Sequence, residues 1–360
     1  MTRRHGWITL VGIVLMTVLV YGPARHVGWV YEDLNWSSTL DEITALPLHL
    51  TIPGRGLTMA SLAWTGDDVA TAHGVSLAIH VASGLLVSRL AWILTASVGV
   101  ASAAALVFLL HPMNSQAVLY LSARGDVLMA ALTLLAVWLA LGPVTLWRWI
   151  VIPLALLAAS ASKESGVIGA VLLLLTLHLW RRRTPQTRMA TGWLLSAMLA
   201  VALTAMPLLN NLATFARQGY VADGAGTSLA WLDFARLQTA AVWDLLTLVV
   251  RLDGFTIDHD PLAFSASWVL LACLLTLQAV VLTIWTWRRS PMVAWAIGWT
   301  LLAVSPRFLV PTEEFLAEQH LYLSMAGVSI GIAALARVVW RAVCADLGFW
   351  CAVSDEGAVS

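Results

Sequence analysis

Four short segments with charged side chains interrupt an otherwise apolar chain, and their residue types suit phosphate binding and acid–base chemistry. They span residues 31–35, 111–126, 162–166 and 306–323. Each segment brings a cation, a carboxylate or both to within a few residues of a long apolar run. A single charge at a membrane edge is explained by snorkelling of its long side chain. Four such segments on one face predict a site for an anionic ligand.

Within these segments, the cations Arg124, Lys163 and Arg307 could neutralise a phosphate at the membrane boundary. The carboxylate of Asp33, in the first segment, could take a proton from a hydroxyl nucleophile as a general base. A phosphate leaves readily once its charge is neutralised, so no general acid is required. The residue types therefore indicate transfer of a group from a lipid phosphate to a hydroxyl, with plain snorkelling of each cation as the alternative.

We expect membrane helices to hold these charged residues in place. Of the 360 residues, 60% are hydrophobic and only 11% are charged, and the mean hydropathy is +0.83. A soluble domain carries about 25% charged residues, so a soluble enzyme is excluded. Because lipid offers no hydrogen bonds to an open backbone, long apolar runs indicate helices. We therefore expect an all-α, polytopic integral membrane protein.

About ten apolar runs are long enough to be candidate spans. They are 7–24, 75–95, 97–110, 127–142, 146–161, 166–180, 191–209, 267–287, 291–306 and 321–343. The segment 236–252 is interpreted as a re-entrant or interfacial helix rather than a further span. The chain is then one transmembrane domain, 1–343, with large external loops at 25–74 and 210–266 and a short cytoplasmic tail at 344–360.

Arginines set the expected orientation, because short cytoplasmic loops retain Lys and Arg. Arg3 and Arg4 precede the first span, and four more arginines lie within 181–188. With ten spans, this pattern predicts that both termini are cytoplasmic and that the four charged segments are external. A multi-pass protein of a bacterial inner membrane fits this arrangement.

The balance of charges and the cysteine content bear on which further classes of function can be excluded. The formal net charge is zero, from 20 cations and 20 acidic residues, so nothing indicates a nucleic-acid partner. Three cysteines are too few and too irregularly spaced for a disulfide framework. We expect them to be packing residues or incidental thiols.

Three sequence motifs carry a resemblance to a known family. Residues 108–118 are FLLHPMNSQAV and are followed by RGDVL at 124–128, while 162–166 are SKESG and 317–323 are AEQHLYL. These motifs resemble those of the membrane-embedded C-type glycosyltransferases (GT-C), and most closely the transmembrane and tetratricopeptide-repeat O-mannosyltransferase family and its bacterial relatives. The helical repeats of longer relatives are not found after residue 343.

The resemblance implies a role for each of several charged and polar residues. Asp33 would be the general base with Glu32 as its helper or substitute, although the family carries Asp where Glu32 stands. The implied donor-phosphate contacts are Arg124, Lys163 and Arg307, and the implied orienting or substrate-binding residues are His111, Asp126, Glu164, Glu318, Arg55 and Tyr322.

The implied activity is transfer of mannose or another hexose from a polyprenyl-phosphate donor to a protein or glycan hydroxyl, with inversion, on the external face. No residue spacing requires a cofactor, although Asp33, Asp126, Glu164 and His111 could bind the divalent metal that some distant C-type enzymes use. The alternatives are a lipid or solute transporter or flippase, with charges near the bilayer midplane, and a non-catalytic scaffold of the same fold.

Overall fold

A computed structural model describes most of the chain and shows an all-α membrane protein. The described residues are 3–30, 33, 55–143, 145–181, 220–221, 228–229, 231–256, 264–308 and 317–346. Their helices are α1 (Arg3–Tyr21), α2 (Gly56–Thr65), α3 (Val69–Thr95), α4 (Val98–Leu110), α5 (Ser115–Leu119), α6 (Arg124–Ala140), α7 (Leu146–Ser162), α8 (Ile168–Arg181), α9 (Trp231–Arg251), α10 (Ala266–Arg289), α11 (Pro291–Val304) and α12 (Ser324–Asp346).

Short 3₁₀ turns and one small strand pair complete the architecture. The strands β1 (Tyr220–Val221) and β2 (Ser228–Leu229) pair antiparallel. The 3₁₀ turns are Gly22–His26, Pro112–Asn114, Leu121–Ala123, Glu164–Val167, Ser305–Phe308 and Glu318–Leu321. Several of these turns fall in the charged segments, so the helices break where the chain carries its polar residues.

One core of buried residues runs through most of the helices, and a second, small cluster of Leu62, Ala72 and Leu121 packs α2 against α3. Small residues let the helices approach closely. Helix α3 packs against α4 and α6, α6 against α7, and α12 against both α4 and α11. Trp295, Trp299 and Phe108 are completely buried in this core. A Cβ on Gly327 would lie 2.7 Å from the Trp299 ring, so glycine at this position allows α12 to contact α11.

Five helical segments in the described part of the chain are long and apolar enough to cross a membrane. They are Trp7–His26, Val69–Thr95, Leu121–Ala140, Ala266–Arg289 and Ser324–Ala345. A sixth candidate arises if Val98–Leu110 and Pro112–Leu119, which are bent by 54°, form one broken span. The expected number of about ten spans is therefore not reached in these residues.

The shortfall has a structural cause. The predicted spans 146–161, 166–180 and 291–306 contain helices of 17, 14 and 14 residues. At about 1.5 Å per residue, these helices are roughly 21–26 Å long and fall short of a hydrocarbon core of about 30 Å. A hydropathy profile depends on the number of apolar residues and does not show where a helix ends. The predicted span 191–209 lies outside the described residues.

Helix α9 contains the segment that we interpreted as re-entrant or interfacial. It is a single helix of 21 residues with Asp233 in its first turn and Arg251 in its last. Arg236 and Asp244 add two further charges along it. Four charges in one helix are incompatible with a simple lipid-exposed span, and the helix is absent from the candidate spans.

The described cysteines differ in their bonding. Cys273 in α10 is a free thiol, whereas Cys344 near the end of α12 is disulfide-bonded. The expectation of incidental thiols is therefore wrong for Cys344. Disulfides persist mainly in oxidising compartments, so this bond disagrees with a cytoplasmic location for the end of α12.

Candidate active site at the helix ends

The carboxylate of Asp33 is held at the start of α6. It is completely buried and accepts hydrogen bonds from the backbone N–H of Ser122 at 2.7 Å and of Leu121 at 3.3 Å. The Ser122 hydroxyl donates a third bond at 2.7 Å. The first N–H groups of a helical segment lack intrahelical partners and favour an anion, which explains this position. Glu32 lies outside the described residues.

Arg124 is completely buried and binds protein oxygens on two other helices. Its Nη2 donates to the carbonyl of Ala72 at 2.8 Å and its Nη1 to the carbonyl of Ser61 at 2.9 Å. Its Nε donates to the hydroxyl of Ser76 at 3.3 Å. Arg124 was predicted to contact a donor phosphate, but in this arrangement its donors hold α2 and α3 against α6.

Lys163 and Asp126 form a buried ion pair. Lys163 follows the last residue of α7, and its Nζ lies 2.5 Å from Oδ2 of Asp126 in the first turn of α6. Burial lowers the pKa of Lys163, and the neighbouring Asp126 carboxylate opposes that shift. A Cβ on Gly125 would lie 3.0 Å from the carbonyl of Ser162, so the RGD glycine lets α6 approach the end of α7.

Arg55 and Glu164 form a second ion pair beside the first. The Arg55 Nε lies 3.6 Å from Oε2 of Glu164, and the Arg55 side chain is 40% exposed. Burial alone would raise the pKa of Glu164, but Arg55 and Lys163 outweigh it and lower the pKa. The turn that presents Glu164 requires Gly166, because a Cβ there would lie 2.4 Å from the backbone oxygen of Ala159.

The late motif brings Arg307, His320 and Glu318 to the same end of the bundle. Arg307 is buried and interacts electrostatically with Lys163, Glu164 and His320. Burial lowers the pKa of His320 well below its ordinary value, and Arg307 lowers it further, so the ring is neutral near pH 7. Glu318 accepts a bond of 2.8 Å from the backbone N–H of Thr256, beyond the end of α9.

His111 and Tyr322 hold helices together instead of joining these ion pairs. Nδ1 of His111 accepts from the N–H of Met113 at 3.1 Å, so its Nε2 donates to the carbonyl of Val249 at 3.0 Å. Tyr322 is completely buried, and its hydroxyl lies 2.7 Å from Nδ1 of His80 in α3. Both residues fix the relative positions of distant segments.

The ion-pair cluster, defined as Arg55, Asp126, Lys163, Glu164 and Arg307, carries one net positive charge from three cations and two carboxylates. A narrow crevice beside it has about 10 Å³ of room for the centres of water-sized molecules, which is roughly one water. The crevice is lined by Arg55, Thr58, Met59, Leu62, Ser122, Gly125, Asp126, Ser162 and Lys163.

The positions of the carboxylates bear on whether the protein binds a divalent metal, a question that the sequence does not decide. Among the described residues, no group of three or more His, Cys, Asp or Glu side chains is placed to bind a metal ion. Asp33 is bonded to Ser122, Asp126 to Lys163, and Glu164 to Arg55. The described carboxylates are therefore dispersed among protein partners instead of sharing one ligand sphere.

Two histidines close to this site were not among the site residues predicted from the sequence. His320 stands inside the quoted AEQHLYL motif, so its position was visible although its role was not. His73 lies in the first turns of α3, where it interacts electrostatically with Asp33 and Arg124. A lone histidine near a helix start has no sequence signal that separates it from an ordinary core residue.

The fold and its long apolar helices define this chain as an all-α protein embedded in a membrane. No protein-family model, no curated protein and no solved structure matches the chain. The site and the sequence motifs therefore remain as indications of the function.

Proposed function

We propose that this protein is an integral membrane glycosyltransferase. It transfers mannose or another hexose from a polyprenyl-phosphate donor to a hydroxyl of a protein or glycan acceptor. The observation that carries the proposal is the ion-pair cluster, with its net positive charge at the helix ends and Asp33 close by. Burying several charges costs several kcal/mol per ion in order-of-magnitude terms, so a purely structural purpose would be served better by apolar packing.

The ion-pair cluster suits the phosphate of such a donor in charge and position. A sugar linked to a polyprenyl phosphate forms a phosphodiester with one negative charge, which matches the single excess positive charge. The prenyl chain would lie along the apolar helices, and the phosphate would reach the membrane boundary where Arg55 is partly exposed. Lys163 and Arg307 then supply charge-assisted hydrogen bonds to the phosphate oxygens.

Ser122 connects this phosphate site to the proposed base. It lines the crevice together with Asp126 and Lys163, and it also holds the Asp33 carboxylate through two hydrogen bonds. The acceptor hydroxyl gives its proton to Asp33 as its oxygen bonds to the anomeric carbon. The bond from that carbon to the phosphate breaks, and the phosphate leaves with the electron pair toward the cations, which inverts the anomeric centre.

The same cluster weighs against a transporter or flippase. Such proteins place their charges near the bilayer midplane and between broken helices in matching halves. Here the charges lie in turns between helices, at Lys163 after α7 and at Arg307 after α11. Only product analysis distinguishes an enzyme from a non-catalytic scaffold of the same fold.

To test this proposal, purified protein in lipid nanodiscs is incubated with a panel of polyprenyl-phosphate sugars, and the product is identified. Wild-type protein is expected to transfer one sugar, and Asp33→Asn to lower the turnover at least about a hundredfold, since general-base catalysis contributes about 10²–10⁴. Lys163→Met is expected to weaken donor binding more than turnover.

A matched control for Asp33→Asn is Asp253→Asn, which removes an exposed carboxylate that pairs with Arg251, and it is expected to leave transfer unchanged. Full activity in Asp33→Asn would remove Asp33 as the base. Unchanged donor affinity in Lys163→Met would remove the phosphate contact, and no product with any donor would contradict the proposed function.

The proposal also includes an orientation. The cluster would face the external side of a bacterial inner membrane, with both termini in the cytoplasm. Arg288 and Arg289 at the end of α10 and Arg337 and Arg341 in α12 support this orientation through the positive-inside rule. The disulfide at Cys344 disagrees with this orientation. Labelling from each side of the membrane distinguishes the two possible orientations.

A further inference from the structure

An open cavity of about 570 Å³ lies at the end of α10. Its volume falls within the range of about 300–1,000 Å³ that small-molecule sites occupy. The lining combines two tryptophans and two arginines with an apolar side chain and a hydroxyl: Thr283, Ile284, Trp285, Trp287, Arg288 and Arg289. Aromatic and cationic residues at the end of an apolar helix are typical of a membrane–water interface.

The cavity is separate from the ion-pair cluster, because the two lie at opposite ends of α8. Glu164 of the cluster stands just before α8, whereas His178 lies in the last turns of this helix. There, Nε1 of Trp287 donates a hydrogen bond to Nε2 of His178 at 3.3 Å. At about 1.5 Å per residue, positions 164 and 178 are roughly 21 Å apart.

Arg288 and Arg289 give the cavity two positive charges without a compensating carboxylate. Both are exposed, and neither forms an ion pair with any residue in the described part of the chain. Cζ of Arg289 lies 4.4 Å from the centroid of the Trp285 ring. This cation–π contact positions the guanidinium without using its N–H donors, so the cavity is suited to an anion.

An exposed apolar stripe on α10 leads to the cavity. Residues three or four positions apart lie on one face of a helix. At this spacing α10 carries side chains that are 55–71% exposed, and Arg288 continues the same face; the apolar residues are Leu270, Leu274, Leu277, Val281 and Ile284. From position 270 to 288 the stripe is roughly 27 Å long, more than the depth of about 15 Å that one leaflet provides.

We propose that this cavity binds an anionic phospholipid, with its phosphate against Arg288 and Arg289 and an acyl chain along the apolar stripe. Such a lipid satisfies both parts of the surface, because a soluble phosphate would not contact the stripe and a neutral lipid would not compensate the arginines. Trp285 and Trp287 lie at the depth of the headgroups, where amphipathic rings are favourable. The site is independent of the proposed sugar transfer.

Native mass spectrometry of the full-length protein in detergent tests this proposal by counting bound lipids. The probes are phosphatidylglycerol and phosphatidylcholine with identical acyl chains, and wild type is expected to bind phosphatidylglycerol more tightly. A basic residue beside anionic lipid contributes about fivefold in affinity. The double variant Arg288→Gln/Arg289→Gln is therefore expected to bind phosphatidylglycerol about thirtyfold more weakly, with phosphatidylcholine binding unchanged. Unchanged phosphatidylglycerol affinity would overturn the proposal.

The matched control is Arg236→Gln/Arg251→Gln, which removes the same charge from α9. These two arginines pair with Asp233 and Asp253, so phosphatidylglycerol affinity is expected to stay constant. Equal weakening in both double variants would show attraction to net charge alone and would contradict a defined site.

Trp285→Leu keeps every charge and removes the ring under Arg289. The lost cation–π contact is expected to lower phosphatidylglycerol affinity about twofold to fivefold, which tests the site even if the double variant does not fold. Wild-type affinity in this variant would contradict the role of Trp285 in positioning the guanidinium.

Competition experiments identify the ligand. Inorganic phosphate is expected not to displace phosphatidylglycerol, and full displacement would show an ion site instead of a lipid site. Polyprenyl phosphate that binds more tightly than phosphatidylglycerol, and depends on the same arginines, would assign the cavity to the donor lipid and contradict the proposal. A dimer that is lost in Arg288→Gln/Arg289→Gln would place a second copy there, with the same consequence. Because none of these measurements uses sugar transfer, they stand or fail separately from the proposed function.

Discussion

At the scale of single residues, the charged side chains of the motifs divide into two groups according to their partners. Lys163 and Asp126 bond to each other at the crevice, and Arg55 pairs with Glu164 at its mouth. Arg124, in contrast, is bonded to backbone and hydroxyl oxygens of α2 and α3. We expect the first group to exchange a protein partner for a ligand, whereas the second maintains the positions of the helices.

Glycine in the SKESG motif gives a prediction at this scale. Gly166→Ala would place a Cβ 2.4 Å from the Ala159 carbonyl oxygen, so the turn between α7 and α8 must shift. We expect a loss of about 1–3 kcal/mol of unfolding free energy, typical of overpacking, and a lower thermal midpoint in detergent. Donor binding is expected to weaken, because Lys163 and Glu164 lie in the same turn.

The matched control is Gly74→Ala in α3, where a new Cβ meets nothing within 4 Å. Alanine is favoured over glycine in a helix by about 0.5–1 kcal/mol, so this variant is expected to be at least as stable as wild type. Equal thermal midpoints for Gly166→Ala and Gly74→Ala would show that the turn does not depend on its glycine.

At the scale of elements, the helices end where the charged segments begin. The chain between α7 and α8 is reduced to the 3₁₀ turn Glu164–Val167, preceded by Lys163 as the C-cap residue of α7. The motif with His111 likewise separates α4 from the 3₁₀ turn Pro112–Asn114. Short turns keep these charged residues near the ends of apolar helices, where ion pairs between segments can form.

Arg124 provides the test at this scale, because it joins three helices. Arg124→Met would leave the carbonyls of Ser61 and Ala72 without their donor, at a cost of about 1–3 kcal/mol for each unsatisfied group. We expect faster hydrogen–deuterium exchange in α2 and in the first turns of α3. The hydrogen bonds of Arg124 go to α2 and α3, so exchange in α10 is expected to stay constant.

Arg236→Met in α9 is the control for this experiment. Arg236 is 54% exposed and forms a surface pair with Asp233, and such pairs contribute only about 0–1 kcal/mol. If α2 of the Arg124→Met protein exchanges at the same rate as in wild type, the guanidinium does not hold this helix.

At the scale of the whole molecule, the membrane orientation decides which compartment the ion-pair cluster faces. The amphipathic helix α9 is central, because its charges oppose a crossing. If α9 lies at the interface, its two ends are on the same side. If it crosses, every later helix is inverted relative to our proposal.

Single cysteines in a cysteine-free background test this orientation. Leu232→Cys and Asp253→Cys are exposed positions at the two ends of α9, and Ser290→Cys lies between α10 and α11. A membrane-impermeant maleimide added to intact cells is expected to label both ends of α9 and to leave Ser290→Cys unlabelled. Labelling of only one end of α9 would show that this helix crosses.

Trp340→Cys extends the test to α12, where it is 61% exposed. Cytoplasmic termini predict that this position is labelled only after permeabilisation. Labelling in intact cells would instead agree with the disulfide at Cys344 and would place the end of α12 outside.

The composition and the long apolar runs predict an all-α membrane protein, and the charged residues gather in a few segments between those runs. Composition and helix periodicity are local properties, so they require no knowledge of distant contacts. All five residues of the ion-pair cluster were also named from the sequence, through the local motifs and the family that they resemble.

Which of these charges contact one another depends on how the helices pack. Lys163 meets Asp126 across 37 positions, and Tyr322 meets His80 across 242 positions, and no local pattern encodes such pairings. The structure also set the ends of the helices, which reduced the number of candidate spans, and it assigned the Arg124 donors to protein oxygens. The physical reason is that desolvation and ion pairing depend on which side chains share a buried volume, and that volume exists only after the helices pack.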